Sequence, residues 1–99
     1  MNRMLHIVSI SSGHAELFAR IGRDDAVIFI GDAVLALHKN ATHNESLLQC
    51  CQDRQCYVLA PDLQLRGLGA TEILSKITLL DYSEFVQLTI EYDVIKTWS

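Results

Sequence analysis

Cys50, Cys51 and Cys56 are the only thiols of this chain, and a thiolate can accept sulfane sulfur as a persulfide and pass it on. That chemistry needs an exposed sulfur activated by a helix N-terminus or a nearby cation. Cys50 and Cys51 fall near the C-terminal end of a predicted helix, where the dipole opposes a thiolate. Cys56 opens a predicted strand, with Arg54 as its only nearby cation. All three are therefore read as structural, with a persulfide carrier as the alternative. His6, His14, His38 and His43 add metal-binding side chains, yet neither C-x2-C nor H-x3-H spacing occurs, so no metal is expected. Ser9, Ser11 and Ser12 lie near His14 without a G-x-S-x-G elbow, which leaves no serine nucleophile. The Ser11-Ser12-Gly13-His14 loop has one glycine and no phosphate-binding lysine, so it holds a small anion at most. Asp62 and Arg66 stand four residues apart, within reach of each other on a helix; a surface pair of that kind contributes only about 0.3–0.5 kcal/mol and reads as a capping or interface pair.

Those residues are set out along an alternation of strands and helices. Leu5 to Ile10 reads as a first strand, and Leu17, Phe18 and Ile21 then share a helical face, with Glu16 and Arg20 paired at i,i+4 and Gly22 as the stop. Ala26 to Ile30 is a continuous apolar run of the kind covered on both faces in a parallel sheet. Asp32 is placed to cap a helix through His38 with Val34 and Leu37 inward. Thr42-x-x-Glu45 fits a capping box for a helix to about Cys51, with Leu47, Leu48 and Cys51 inward. Tyr57 to Leu59 forms a third strand. It runs into Pro61, which suits a first helical turn, and Gly67 can take the left-handed conformation that ends this short helix. Ile77 to Leu80 is a fourth strand. Asp81-x-x-Glu84, an aspartate variant of the capping box, opens a last helix from Tyr82 to about Tyr92, with Phe85, Leu88, Thr89 and Tyr92 on one face. Val94 to Trp98 is a short final strand at the sheet edge, and Trp98 and Tyr92 are read as packing or subunit-contact aromatics. The order predicts a single small three-layer α/β domain, with a mostly parallel sheet of four to five strands and helices on both faces.

Composition narrows the function classes. At 99 residues with 49% hydrophobic content, the chain has room for one core and apolar surface to spare for a partner. Its formal charge is −4 and its eight basic residues are scattered, which argues against direct nucleic-acid binding. No stretch is long and apolar enough to span a membrane, and the N-terminal segment is unlike a signal peptide. An odd number of cysteines does not make a disulfide framework, so a cytoplasmic protein is expected. Nothing calls for a cofactor.

Met4-Leu5-His6, Asp62-Leu63, Arg66-Gly67-Leu68, the run Leu80 to Leu88 (with Asp81, Tyr82 and Phe85) and Trp98 together resemble the TusB/DsrH-like family. The resemblance spans residues 4–99 as one domain and makes residues 1–3 a short extension. It implies a DsrE/DsrF/DsrH-like fold and a heterohexamer with TusC-like and TusD-like subunits. It also implies a TusA-like donor and a TusE-like acceptor, with the sulfur ending as the 2-thio group of the tRNA wobble uridine. In such a sulfur-transferase complex the persulfide cysteine belongs mainly to the TusD-like sister. Some DsrH-type members carry a cysteine in the helix after the first strand; here Glu16 to Ile21 has none. The implied role is thus a non-catalytic subunit, with Asp62, Arg66, Gly67, Asp81, Tyr82, Phe85 and Trp98 as structural or interface positions. The alternatives are a persulfide carrier through Cys50, Cys51 or Cys56, and a homodimeric small-anion-binding module. Transfer to tRNA and dissimilatory sulfur oxidation remain equally compatible with these residues.

Overall fold

Short connections between strands force neighbouring elements together, and parallel strands need a crossover between them. The structure, a computed structural model, describes residues 3–10, 14–39 and 45–98, with side chains throughout except at 14–16 and 45–46. Strands β1 (Met4–Val8), β2 (Ala26–Phe29), β3 (Gln55–Leu59), β4 (Thr78–Leu80) and β5 (Val94–Trp98) form one sheet. The helices are α1 (His14–Ala19), α2 (Glu45–Asp53), α3 (Ala60–Leu65) and α4 (Tyr82–Glu91), with 3₁₀ helices at Gly31–Leu37 and Ala70–Glu72. The sheet order is β4-β3-β2-β1-β5, and every pairing is parallel.

That order explains the layers. The chain steps from β1 to β4 in one direction, then returns past β1 to place β5 on the far edge. Right-handed crossovers put the first three connections on one face, and the reversal throws α4 onto the other. Alternate strand residues serve the two sides. Val8, Val27, Phe29, Cys56 and Val58 pack with Leu17, Phe18, Leu47 and Leu63 from α1, α2 and α3. Leu5, Ala26, Ile28 and Leu80 pack instead against Leu88 and Phe85 of α4. The expected three-layer α/β architecture is therefore present, with very unequal cover on its two sides. On α4 the outward positions Tyr82, Val86 and Ile90 are apolar and exposed, as are Val94 and Ile95 on the edge strand.

Local signals act as their chemistry dictates. The Asp81 carboxylate accepts from the Glu84 N–H at 2.8 Å, and Glu84 accepts from the Asp81 N–H at 3.0 Å, which closes the capping box. Gly67 has φ +73, and the N–H groups of Gly67 and Leu68 bond the carbonyls of Gln64 and Leu63, a Schellman ending for α3. Pro61 sits in the first turn of α3, directly after β3.

Three expectations are corrected. Gly31–Leu37 is a 3₁₀ helix whose N-cap is Ile30, so Asp32 does not cap it, although Val34 and Leu37 are buried as expected. The inward face of α2 is Leu47, Cys50 and Cys51, and Leu48 is exposed, because i, i+3 and i+4 share a helical face and adjacent positions do not. Strand β1 ends at Val8, two residues short of Ile10. The Ser11 to Gly13 loop, the side chains of His14 and Glu16, and Thr42-His43 lie outside the described residues.

Candidate functional site

At the carboxyl ends of β2 and β3, the loop after β2 meets α3. The Asp62 carboxylate accepts from the Gly31 N–H at 2.7 Å, where Gly31 has φ +55. Arg66 donates from Nη2 and Nε to the Asp32 carboxylate at 2.8 and 3.3 Å, and from Nη1 to the Asp62 carbonyl at 3.1 Å. Asp62 and Arg66 therefore do not pair carboxylate to guanidinium; each reaches across to the loop after β2. The Arg66–Asp32 pair is exposed on the aspartate side (71%), so it contributes only about 0–1 kcal/mol. The cluster ties two strand ends together and leaves no carboxylate poised against a substrate.

A second cluster joins the two flanks of β1. His6 points to the α1/α2 side of the sheet and is 2% exposed. Trp98 Nε1 donates to His6 Nδ1 at 3.0 Å, and His6 Nε2 lies 3.0 Å from Asp25 Oδ2. An indole N–H can only donate, so Nδ1 is the acceptor and Nε2 carries the proton to Asp25. Asp25 also accepts from the backbone N–H groups of Met4 at 3.0 Å and Gly22 at 2.9 Å. Burial pushes the Asp25 carboxyl up, but the hydrogen bonds from His6, Gly22 and Met4 and the proximity of His6 outweigh it, and its pKa lies below the ordinary value. Lys96 caps the outer face of the Trp98 ring at 4.3 Å. With both ring nitrogens engaged and no access from solvent, His6 cannot serve as a general base. Its hydrogen bonds hold the edge strand β5 onto β1.

The thiols form the third cluster. Cys50, Cys51 and Cys56 are buried, at 6%, 6% and 3% exposure, and none is in a disulfide. Cys50 Sγ lies 3.9 Å from Cys56 Sγ, which in turn is 3.4 Å from the Cys50 carbonyl oxygen. The hydrogen bond with Cys56 favours the ionised form of Cys50, burial opposes it and Arg54 helps, so the Cys50 thiol is lowered from its ordinary value. Cys56 is pushed up by its hydrogen bonds with Cys50 and Cys51 and by burial. Cys50 also forms the wall of a cleft of about 230 Å³ shared with Phe18, Ala19, Gln49 and Arg54.

Sequence reasoning placed Cys50 and Cys51 at the end of α2 but missed their approach to Cys56, which depends on the tight α2–β3 corner. It also missed Asp25, whose only signal was its place just before the apolar run of β2. Tyr82 is exposed in the first turn of α4, and Phe85 is half-buried against the sheet. Among the described residues no three His, Cys, Asp or Glu side chains are placed to share a metal ion. No helix among them is long and apolar enough to cross a membrane.

Comparison with known proteins shows the same fold elsewhere. Solved structures with the same fold include the ychN protein from E. coli, with TM-score 0.76 at 15% identity, covering 99% of this chain and 100% of that one. Another is MTH1491 from Methanobacterium thermoautotrophicum, of unknown function, with TM-score 0.73 at 12% identity, covering 97% of this chain and 99% of that one. Protein TusB of Pectobacterium parmentieri is 35% identical over 98 residues, which is 96% of this chain and 100% of that protein. Protein TusB of Yersinia enterocolitica is 33% identical over the same shares. Residues 10–95 match the family model described as DsrH like protein. The chain belongs to the TusB/DsrH-like family.

Proposed function

We propose that this chain is a non-catalytic subunit of a sulfur-relay complex that supports 2-thiolation of the tRNA wobble uridine. Its partners would be TusC-like and TusD-like subunits in a heterohexamer, with a TusA-like donor and a TusE-like acceptor. The observation that carries the reading is family membership over nearly the whole chain, at about a third identity to proteins named TusB. Three features of the molecule support it. Every thiol is buried and His6 is saturated with hydrogen bonds. One sheet face is covered by α4, whose outer stripe is apolar. Among the described residues basic side chains sit beside acidic ones, as in the shallow groove of Arg23, Asp24, Asp53 and Arg54, which suits direct RNA binding poorly.

The test is co-expression with TusC-like and TusD-like chains, paired with measurement of 2-thiouridine in cells deleted for this chain. Joint elution, together with rescue of thiolation by both the wild-type chain and its triple Cys→Ser variant, is the expected result. A second reading, Cys50 as a persulfide carrier, is favoured by its lowered thiol and the cleft beside Arg54. Loading with a cysteine desulfurase, followed by a sulfur adduct on Cys50 and failed rescue by Cys50→Ser, would replace the first reading with this one.

A further inference from the structure

The corner between α2 and β3 holds two thiols that no step of the proposed function uses. The backbone reverses over Asp53 and Arg54, with the Arg54 N–H bonded to the Cys50 carbonyl at 2.9 Å. That reversal brings Cys56, at the start of β3, back against the last turn of α2. The two sulfurs are 3.9 Å apart, and a disulfide needs about 2.05 Å, so an approach of about 1.9 Å closes the bond. Cys51, one residue on and about 100° around the helix, also hydrogen-bonds Cys56 but lines a separate cleft with Leu48, Leu74 and Lys76. Cys50 lines the cleft of about 230 Å³ on its side of the helix, which is large enough for a small oxidant. Arg54 lines the same cleft, and its Nε is buried without a hydrogen-bond partner, a cation held beside the reacting thiol.

We infer that Cys50 and Cys56 form a hydroperoxide-responsive dithiol that closes reversibly to an intramolecular disulfide. Cys50, as thiolate, attacks the distal oxygen of a hydroperoxide. The O–O bond breaks, the Cys50 sulfur becomes a sulfenic acid, and the leaving alkoxide or hydroxide takes a proton to become alcohol or water. Cys56 sulfur then displaces hydroxide from that sulfenic acid, and its own proton leaves with the hydroxide as water. One hydroperoxide is reduced by two electrons, and two thiols become one disulfide. Cys50 acts first because its ionised form is favoured by the Cys56 hydrogen bond. Oxidation of Cys50 removes its hydrogen bond with Cys56, the first of the causes that push the Cys56 thiol up, while the contact with Cys51 and burial remain. The product staples the end of α2 to the start of β3 and withdraws both sulfurs from other chemistry.

The experiment treats the folded full chain with equimolar hydrogen peroxide, blocks remaining thiols with N-ethylmaleimide in denaturant, and maps tryptic peptides. Cleavage after Lys39, Arg54 and Arg66 puts Cys50 and Cys51 in one peptide and Cys56 in the next, so the disulfide joins residues 40–54 to residues 55–66. The expected result is that this joined species becomes the main form of the Cys56 peptide, with fragmentation assigning the bond to Cys50. It should be reversed by dithiothreitol, kept in Cys51→Ser and absent in Cys50→Ser. Linkage through Cys51, disulfides only between chains, or oxidation running on to sulfinic acid with no joined peptide overturns the inference. The wild-type map decides this even if a variant folds poorly. Its outcome is independent of subunit co-elution, so failure here leaves the scaffold reading standing.

Discussion

Replacing Asp25 by Asn keeps the side chain's size and removes its ability to accept from every neighbour at once. All three of its partners are donors: His6 Nε2, the Met4 N–H and the Gly22 N–H. The amide must turn its NH₂ toward at least one of them. With its oxygen at the Oδ2 position the amide keeps His6 and Gly22 but opposes the Met4 N–H; with its oxygen at Oδ1 it keeps Met4 and opposes buried His6. The first arrangement is the less costly. It gives up the charge assistance in the His6 bond and leaves a part-buried N–H unpaired, together about 2–3 kcal/mol. The Gly22 N–H is exposed and keeps its acceptor in this arrangement, so it adds little. For a domain of this size the loss corresponds to a fall in Tm of about 10–20 °C. The pH dependence supplies the decisive control. The folded pKa of Asp25 is below its unfolded value, so its contribution is fully present above the unfolded pKa of about 3.9 and is lost as pH falls through the folded value. Urea unfolding followed by circular dichroism should therefore show the gap between wild type and Asp25→Asn shrinking from about pH 6 to about pH 3. A gap that is below about 0.5 kcal/mol at neutral pH, or that does not change with pH, refutes the account of Asp25 as the charged acceptor of this cluster.

Other substitutions test separate features. Trp98→Phe removes the donor to His6 Nδ1, and should cost about 1 kcal/mol and raise hydrogen exchange in β5 ahead of β2 and β3. Gly67→Ala meets no atom within 4 Å, so its cost, about 1–2 kcal/mol in urea unfolding, comes from φ +73 alone, and Gly67→Asn should cost less. Asp81→Ala opens the capping box of α4 and should lower stability by about 1 kcal/mol, read by the same unfolding assay. Val86→Asp, on the exposed stripe of α4, should change the isolated chain's stability by less than about 0.5 kcal/mol while abolishing co-elution with the TusC-like and TusD-like chains.

Much of the architecture was readable because local chemistry and global position agree. The apolar run at β2 is buried along its whole length, and Asp81-x-x-Glu84 and Gly67 set their helix ends through contacts a few residues away. The 3₁₀ form of the helix at Gly31–Leu37 is not legible in the sequence, because an i,i+3 apolar pair, Val34 and Leu37, fits both helical periods over so short a stretch. Hydrophobicity alone places Leu48 inward, whereas the helical phase buries Cys50 in its place. The partners of Asp62, Arg66, Cys56 and His6 were not readable, since each lies on another element and depends on strand register and corner geometry. Position in the sheet decides those contacts, and spacing along the chain carries little trace of it.

The pairing of β1 with β5 means that the first strand to be synthesised is the last to be completed. Trp98 reaches His6 from 92 residues away, so during translation one flank of β1 presents bare backbone groups until nearly the whole domain has emerged. The sheet from β1 to β4 can assemble in the order of synthesis, but its edge waits for a contact of very long sequence separation, the kind that slows folding most. A chain halted before Val94 would keep most of its buried core and still expose an unsatisfied strand to any neighbour able to pair with it.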